Sequence, residues 1–487
     1  MSEIWKLSAT EMAAAIARRE ITSREAVQSA LDRISATEDV SNAFARIERD
    51  ALTRADAADA AIMRGGELGP LHGVPIAIKE NQDLKGTPTT SGIGQWANNA
   101  AASETAPPVQ RCIDAGAVIV GATRMPPLGF RWTTESEEFG PTRNPWDPTV
   151  TAGASSGGSG VAVANGSVPL ALANDIGGSI RYPAANNGVM GMRPTAGRVP
   201  MWYTTLPGLG MPLAWEQFFV EGPIARTAED LRLALSVLEK YDPRDPIAVP
   251  APVNRRTVGR PRIGVVRSVG ESPFVTASTP DVDANLARVA EELRVQGHDV
   301  VDVDLPELGE AAELWWQIAL TELDVTGTGE LMDAAGGEGI SKFWHNMIAL
   351  LDQHYGPIGP RQIFEGLARR SAVRRALAER MEELPILITP SSGEPPFPLG
   401  GDNQSLERTN ELMAHQWVNL AVPILGIPAV SVGTTVVPGG APLGVQVLGR
   451  SFSDHDAIDI AEDVRRALPV ETPINPTVPS GTVISLV

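Results

Sequence analysis

The chain has 487 residues, 43% hydrophobic and 20% charged, the balance of a soluble globular protein long enough to bury a large core. A formal net charge of −19 with no basic stripe argues against a nucleic-acid surface, which needs clustered Lys and Arg. The single cysteine, Cys112, excludes an intramolecular disulfide, fits a reducing compartment and reads as a small buried apolar residue.

Residues 1–20 are interrupted by Glu3, Lys6, Glu11, Arg18 and Arg19, and no apolar run approaches the ~20 residues of a membrane span, so a cytoplasmic protein is expected. Ser8-Ala9-Thr10-Glu11 and Thr22-Ser23-Arg24-Glu25 have the pattern of capping boxes and predict two helices; a third is predicted over residues 46–64. After the Gly65-Gly66 and Gly69-Pro70 breaks, Val74, Ile76 and Ile78 alternate with Pro75, Ala77 and Lys79 at the period of a strand. That period puts Lys79 on the face of Ala77, at the end of a buried strand.

Residues 109–115 read as a helix and 117–121 as a strand, followed over 125–149 by a long connection holding Trp132, Phe139 and Trp146. Two glycine-rich turns carrying serine then flank a segment long enough for a helix (161–164) and a strand (168–173). Residues 198–222 hold Trp202, Tyr203 and Trp215 among Gly and Pro, too broken for a regular element; they form either a pocket wall or a loop packed on the core. A helix is expected to start within 222–230, and 241–260 to be a connection. Strands at 263–266 and 300–303 flank a helix at 282–296, and 305–380 is mainly helical, with Trp315, Trp316, Phe343, Trp344 and Tyr355 as pocket aromatics. Strands at 386–389, 428–432 and 444–449 and a helix at 456–467 close the chain, so a sheet with helices on both faces is expected.

The two turns are where chemistry concentrates. Glycine permits positive φ and lets successive N–H groups converge on one point, beside serines placed to exploit it. Such an arrangement suits acyl transfer, which takes a nucleophile, a base that returns its proton to the leaving group, and donors for the tetrahedral oxyanion. The six histidines, His72, His298, His345, His354, His415 and His455, lie in no comparable motif. A lysine serves if burial neutralises it, and moving its pKa from about 10.4 to about 7 takes roughly 5 kcal/mol.

Gly153-Ala154-Ser155-Ser156-Gly157-Gly158-Ser159, Asp175-Ile176-Gly177-Gly178-Ser179-Ile180-Arg181-Tyr182-Pro183 and, upstream, Gly73-Val74-Pro75-Ile76-Ala77-Ile78-Lys79-Glu80 resemble, in order, the three motifs of the amidase signature family of serine hydrolases. The resemblance implies an α/β fold with a large mixed sheet flanked by helices. It implies one domain over 1–487, with a signature core at 60–240, a variable pocket region at 241–380 and a return to the sheet at 381–470. By the same resemblance Ser179 is the nucleophile, and Ser155, behind a cis peptide bond to Ala154, bridges it to Lys79. The N–H groups of Ile176, Gly177, Gly178 and Ser179 form the oxyanion hole. Asp175 and Arg181 pair to fix the turn, and Ser156 either joins the proton network or, like Ser159, bonds locally. The implied reaction is hydrolysis of an amide, without metal or cofactor, through an acyl-enzyme; esters and carbamates are chemically within reach. A small neutral aromatic or aliphatic substrate is expected, against Trp132, Trp202, Tyr203 and Trp215, with the protein a monomer or homodimer and no nucleic-acid or membrane partner.

Gly153-Ala154-Ser155-Ser156-Gly157 also fits Gly-x-Ser-x-Gly, the nucleophile elbow of α/β-hydrolases, with His415 or Asp454-His455 to complete a triad. Three ordered motifs outweigh that five-residue pattern. The glutaminase component of glutamyl-tRNA amidotransferase is a further resemblance. Against it, Asn174 stands where threonine is usual, Asn186-Asn187 where an aromatic and a cysteine are common, and Glu80 where aspartate is frequent, so a stand-alone hydrolase is favoured. A non-catalytic binding protein is disfavoured by intact Lys79, Ser155 and Ser179, and the turns are no phosphate loop because no Gly-Lys-Ser/Thr follows.

Overall fold

Both capping boxes close. Ser8 Oγ accepts from the Glu11 N–H at 3.1 Å while Glu11 accepts from the Ser8 N–H at 2.8 Å, and Thr22 and Glu25 repeat the exchange. These bonds start the helices Ala9–Ala17 and Ser23–Ser41 in a computed structural model that describes residues 3–203, 211–250, 260–357, 359–437 and 440–478. The predicted third helix begins later. Asn42, in the left-handed conformation at φ 48°, ends the second helix, and the Glu38 carboxylate takes the N–H groups of Ala43 and Phe44. The chain therefore leaves as strand β1 (Phe44–Ile47), and the helix runs over Ala51–Met63.

The remaining strands are β2 (Pro75–Lys79), β3 (Val118–Thr123), β4 (Glu135–Ser136), β5 (Gly140–Pro141), β6 (Leu170–Asp175), β7 (Met190–Arg193) and β8 (Val220–Ala225). After these come β9 (Ile263–Ser268), β10 (Val300–Asp304), β11 (Ile386–Pro390), β12 (Ala429–Val436) and β13 (Pro442–Gly449). Eleven of them form one mixed sheet in the order β1-β3-β2-β6-β8-β7-β12-β13-β11-β9-β10, while β4 and β5 make a separate hairpin inside the 125–149 connection. Strand β2 lies between two parallel neighbours, β3 and β6, and β6 pairs antiparallel with β8.

Two expectations between the serine turns and residue 230 are corrected. Gly222-Pro223-Ile224-Ala225 belongs to β8, and its helix starts only at Ala228–Leu238, where Thr227 Oγ1 accepts from the Asp230 N–H at 3.1 Å. Glycine and proline read as a break because both are poor strand formers, yet pairing with β6 and β7 carries them. Within 198–222, where no regular element was expected, Leu213–Phe218 is a short helix. Only part of the expected 241–260 connection falls among the described residues.

Period-two alternation sorts the sheet's two faces. Ile76, Ile78, Ile119, Leu170 and Leu172 join one apolar cluster, and Ala77, Val118, Val120, Ala171 and Ala173 join another with Val161 to Ala164. Small residues on that second face let the helix Gly157–Ala164, buried throughout, lie close against it. A third cluster contains the aromatics of the helical stretch between β10 and β11. No helix among the described residues is long and apolar enough to cross a membrane.

Candidate active site

Strand β2 delivers Lys79 into the interior with no exposed surface. Its Nζ lies 2.7 Å from Ser155 Oγ and 2.7 Å from Asn174 Oδ1. Burial lowers its pKa to about 7, against the opposing pull of the Glu221, Asp175 and Glu80 carboxylates. A neutral amine here donates one hydrogen to Asn174 and turns its lone pair to the Ser155 proton.

Ser155 follows a sharp turn. Gly153 sits at φ 102°, and a Cβ there would fall 2.5 Å from the Pro183 Cα. Thr134 Oγ1 fixes the next carbonyl, that of Ala154, at 2.6 Å. The Ala154–Ser155 peptide bond is trans: among the described residues only Thr472–Pro473 is cis. This corrects the cis bond implied by resemblance. The trans chain brings Ser155 Oγ within hydrogen-bond distance of Lys79. Ser155 and Ser179 line the same cavity, but no hydrogen bond joins their hydroxyls.

Ser179 closes a turn built around Asp175, whose carboxylate accepts from the N–H groups of Gly178 (2.9 Å) and Ile180 (3.2 Å) and from Arg181 Nε and Nη2 (2.9 Å each). Burial opposes that charge, yet Arg181 and Arg193 hold the carboxyl well below its usual range. Arg181 also donates to the Asn419 carbonyl at 2.8 Å and to Gln446 at 2.9 Å, tying the turn to the opposite half of the sheet. The N–H groups of Ile176, Gly177 and Ser179 find no acceptor among the described residues. Gly178 differs: its N–H is spent on Asp175, which removes it from the expected donors. On the other side of the turn, Trp315 Nε1 donates to the Ile176 carbonyl at 2.9 Å. One turn of π-helix, Trp316–Leu320, follows Trp315 directly, a local distortion that often marks functional positions.

Two pocket arms meet at Ser179. One is walled by Phe130, Trp132, Trp315, Phe343, Met347 and Leu420, and the other holds Lys79, Ser155, Asn174, Leu128, Trp215 and Phe219. Leu128 takes a left-handed φ of 54° at this wall, a conformation costly for a branched side chain. Of the predicted pocket residues, Trp132 and Trp215 line the arms. Tyr203 instead donates to Glu221 and meets Phe219 edge-on at 5.8 Å, and Trp202 lies under the Arg244 guanidinium, outside either lining. Trp315 and Phe343 line the pocket, whereas Trp316 and Trp344 are buried in the core and Tyr355 hydrogen-bonds Glu313. Ser156 Oγ is 3.5 Å from the Asn174 carbonyl, and Ser159 pairs with Thr123 at 2.7 Å.

Sequence reasoning missed Glu221, Gln82 and Asn81. Glu221 sits directly opposite Asn174 across β6 and β8, and both Gln82 and Asn174 donate to it. The one signal in the sequence was a carboxylate between Val220 and Gly222, in an otherwise apolar run. The elbow reading fails on the same geometry, because the partner of Ser155 is Lys79 and no histidine. No grouping of His, Cys, Asp and Glu among the described residues has the makings of a metal site.

An eleven-stranded α/β sheet presenting a buried lysine bonded to one serine, with a second serine in the same cavity, defines a serine-based enzyme that hydrolyses amide C–N bonds. The chain belongs to the Amidase family, whose profile matches residues 25–458. It is 35% identical over 464 residues to an indoleacetamide hydrolase of Bradyrhizobium diazoefficiens, covering 94% of this chain and 86% of that one. It is 32% identical to a glutamyl-tRNA(Gln) amidotransferase component of Chloroflexus aurantiacus, covering 96% of this chain and 97% of that one. Among solved structures, a bacterial aryl acylamidase of the amidase signature family superposes with a TM-score of 0.80 at 27% identity, covering 96% of this chain and 98% of the other.

Proposed function

We propose that the enzyme hydrolyses neutral amides bearing an aromatic group, through an acyl-enzyme on Ser179. The observation that carries this reading is the arm beside Ser179, walled by Phe130, Trp132, Trp315 and Phe343. Its one charged lining residue, Arg131, is neutralised by two hydrogen bonds to the buried Asp402, at 2.8 and 2.6 Å, so nothing there compensates an acidic substrate. An aromatic ring gains both area burial and edge-to-face contacts in such a site.

In this mechanism neutral Lys79 takes the Ser155 proton as Ser155 takes that of Ser179, and Ser179 Oγ attacks the carbonyl carbon. The Ile176, Gly177 and Ser179 N–H groups receive the oxyanion, and Ser155 passes its proton to the departing nitrogen as protonated Lys79 returns one to Ser155. Water then repeats the sequence on the ester. A carbamate or ester presents the same carbonyl and enters the same path. The names of the indoleacetamide hydrolase and aryl acylamidase support an aromatic amide, and the likeness to the amidotransferase component supports a second reading, a glutaminase that works within a complex.

The test is a panel of phenylacetamide, indole-3-acetamide, p-nitroacetanilide, an aryl carbamate and glutamine, assayed with wild type and Ser179→Ala. Turnover of the aromatic amides that vanishes in Ser179→Ala supports the proposal. Activity confined to glutamine, or appearing only with partner proteins of such a complex, overturns it in favour of the second reading.

A further inference from the structure

Behind Lys79 lies a carboxylate that the mechanism above leaves unused. Glu221 is 1% exposed and pairs across the sheet with Asn174. Its surroundings are fixed by their other bonds. The Gln82 carbonyl oxygen accepts from the Lys79 main-chain N–H at 2.8 Å, so its amide nitrogen must face Glu221. The Asn174 carbonyl oxygen accepts from Lys79 Nζ, so its nitrogen faces Glu221 Oε1 at 3.4 Å and Asn81 Oδ1 at 2.9 Å. The Tyr203 hydroxyl supplies a third donor. Burial pushes the Glu221 carboxyl up to about 8, close to the value of Lys79, so the two titrate together near neutral pH, and the bonds from Gln82 and Asn174 favour the charged form of Glu221.

Each other acid near Lys79 is engaged elsewhere. Asp175 belongs to Arg181 and Arg193, and Glu80 is held by the Thr90 hydroxyl and the Met125 N–H. Glu221 has no ion pair with Arg or Lys among the described residues, and Asn174 bonds to both it and the lysine amine. A lysine buried without such a charge falls to a pKa of about 5 to 6, too weak a base to drive a serine or to return a proton to an amine.

We propose that Glu221 is a positioning residue for catalysis: its buried negative charge, relayed through Asn174, keeps Lys79 basic enough to act at neutral pH. The inference rests on Lys79 being the base of the proposed mechanism. It assigns Gln82 and Tyr203 the task of favouring the ionised form of Glu221, and it accounts for asparagine at 174, whose two-ended amide reaches the lysine on one side and the carboxylate on the other. A threonine lacks that reach.

The experiment is the pH dependence of kcat/KM on an uncharged anilide for wild type, Glu221→Gln, Glu221→Asp, Tyr203→Phe and Lys79→Ala. Losing the charge lowers the lysine pKa, so the acid limb of Glu221→Gln should move down by about one pH unit or more, while its plateau rate falls as the base weakens. Glu221→Asp keeps the charge and should keep the limb within a few tenths of a unit, even with a lower rate. Tyr203→Phe removes one donor and should shift the limb in the direction of Glu221→Gln by less, which preserves the test if Glu221→Gln does not fold. A limb unmoved in both Glu221→Gln and Tyr203→Phe overturns the proposal. A wild-type limb persisting in Lys79→Ala overturns the lysine base itself, a separable result.

Discussion

Lys79, Ser155 and Ser179 come from three separate stretches of chain, and their convergence lets each make its own prediction. Ser179→Ala removes the oxygen proposed to attack and should lower kcat by about 10³-fold or more with folding intact, read by steady-state kinetics and circular dichroism. In the proposed mechanism Lys79 acts neutral, and burial lowers its pKa to about 7, so the wild-type rate should climb with pH through about 7 and level off above it. Trp315→Phe keeps the ring against the pocket but loses the bond to the Ile176 carbonyl; a cost of about 1 kcal/mol, roughly fivefold in kcat with little change in KM, is expected. The residues that announce themselves in sequence are those held in short motifs. Glu221 does not, because its meaning comes from a cross-strand partner in another part of the chain, and Gly178 is a false donor because its N–H is spoken for by a side chain three residues away.

The turn from Asp175 to Arg181 has stability consequences as an element. Asp175→Asn leaves Arg181 and Arg193 buried without their counter-charge and should cost about 3 to 5 kcal/mol in urea unfolding, well beyond a surface change. The sign of the pH effect follows from the depressed pKa. Asp175 stabilises the fold fully above the unfolded value, about 3.9, and that contribution is lost as pH drops below it, so the wild type should lose stability there more steeply than Asp175→Asn. Gly153→Ala should destabilise and inactivate together, because a side chain at φ 102° meets Pro183 and the same turn carries Ser155. Strand β2 and the starts of the first two helices, marked by periodicity and capping, were legible in sequence to within a residue or two. Elements built on Gly and Pro were not: β8 owes its extended form to partners on both sides, and the short helix Leu213–Phe218 lies against the pocket by its aromatics.

At the scale of the whole molecule, an excess of acidic side chains gives a pI near 4.8, and repulsion between copies disappears close to that pH. Light scattering should show least solubility between about pH 4.5 and 5, recovering on either side. A sheet with helices on both faces was readable from the βα rhythm, and its mixed character was implied by the family resemblance, whereas strand order was not legible, since β10 and β11 flank β9 although all of residues 305–385 intervene between them. That detour leaves the sheet at one strand and rejoins it two positions away, and it brings Trp315, Phe343 and Met347 to the pocket without contributing Lys79, Ser155 or Ser179. One wall of the pocket is thus carried on a length of polypeptide that holds none of Lys79, Ser155 and Ser179, while Phe130, Trp132 and Leu420 complete that arm from elsewhere in the chain. Grafting the corresponding stretch from a relative of different selectivity, with Trp315 retained as the strut beneath Ile176, is a route to changing what the enzyme accepts while its bond-breaking machinery stays in place.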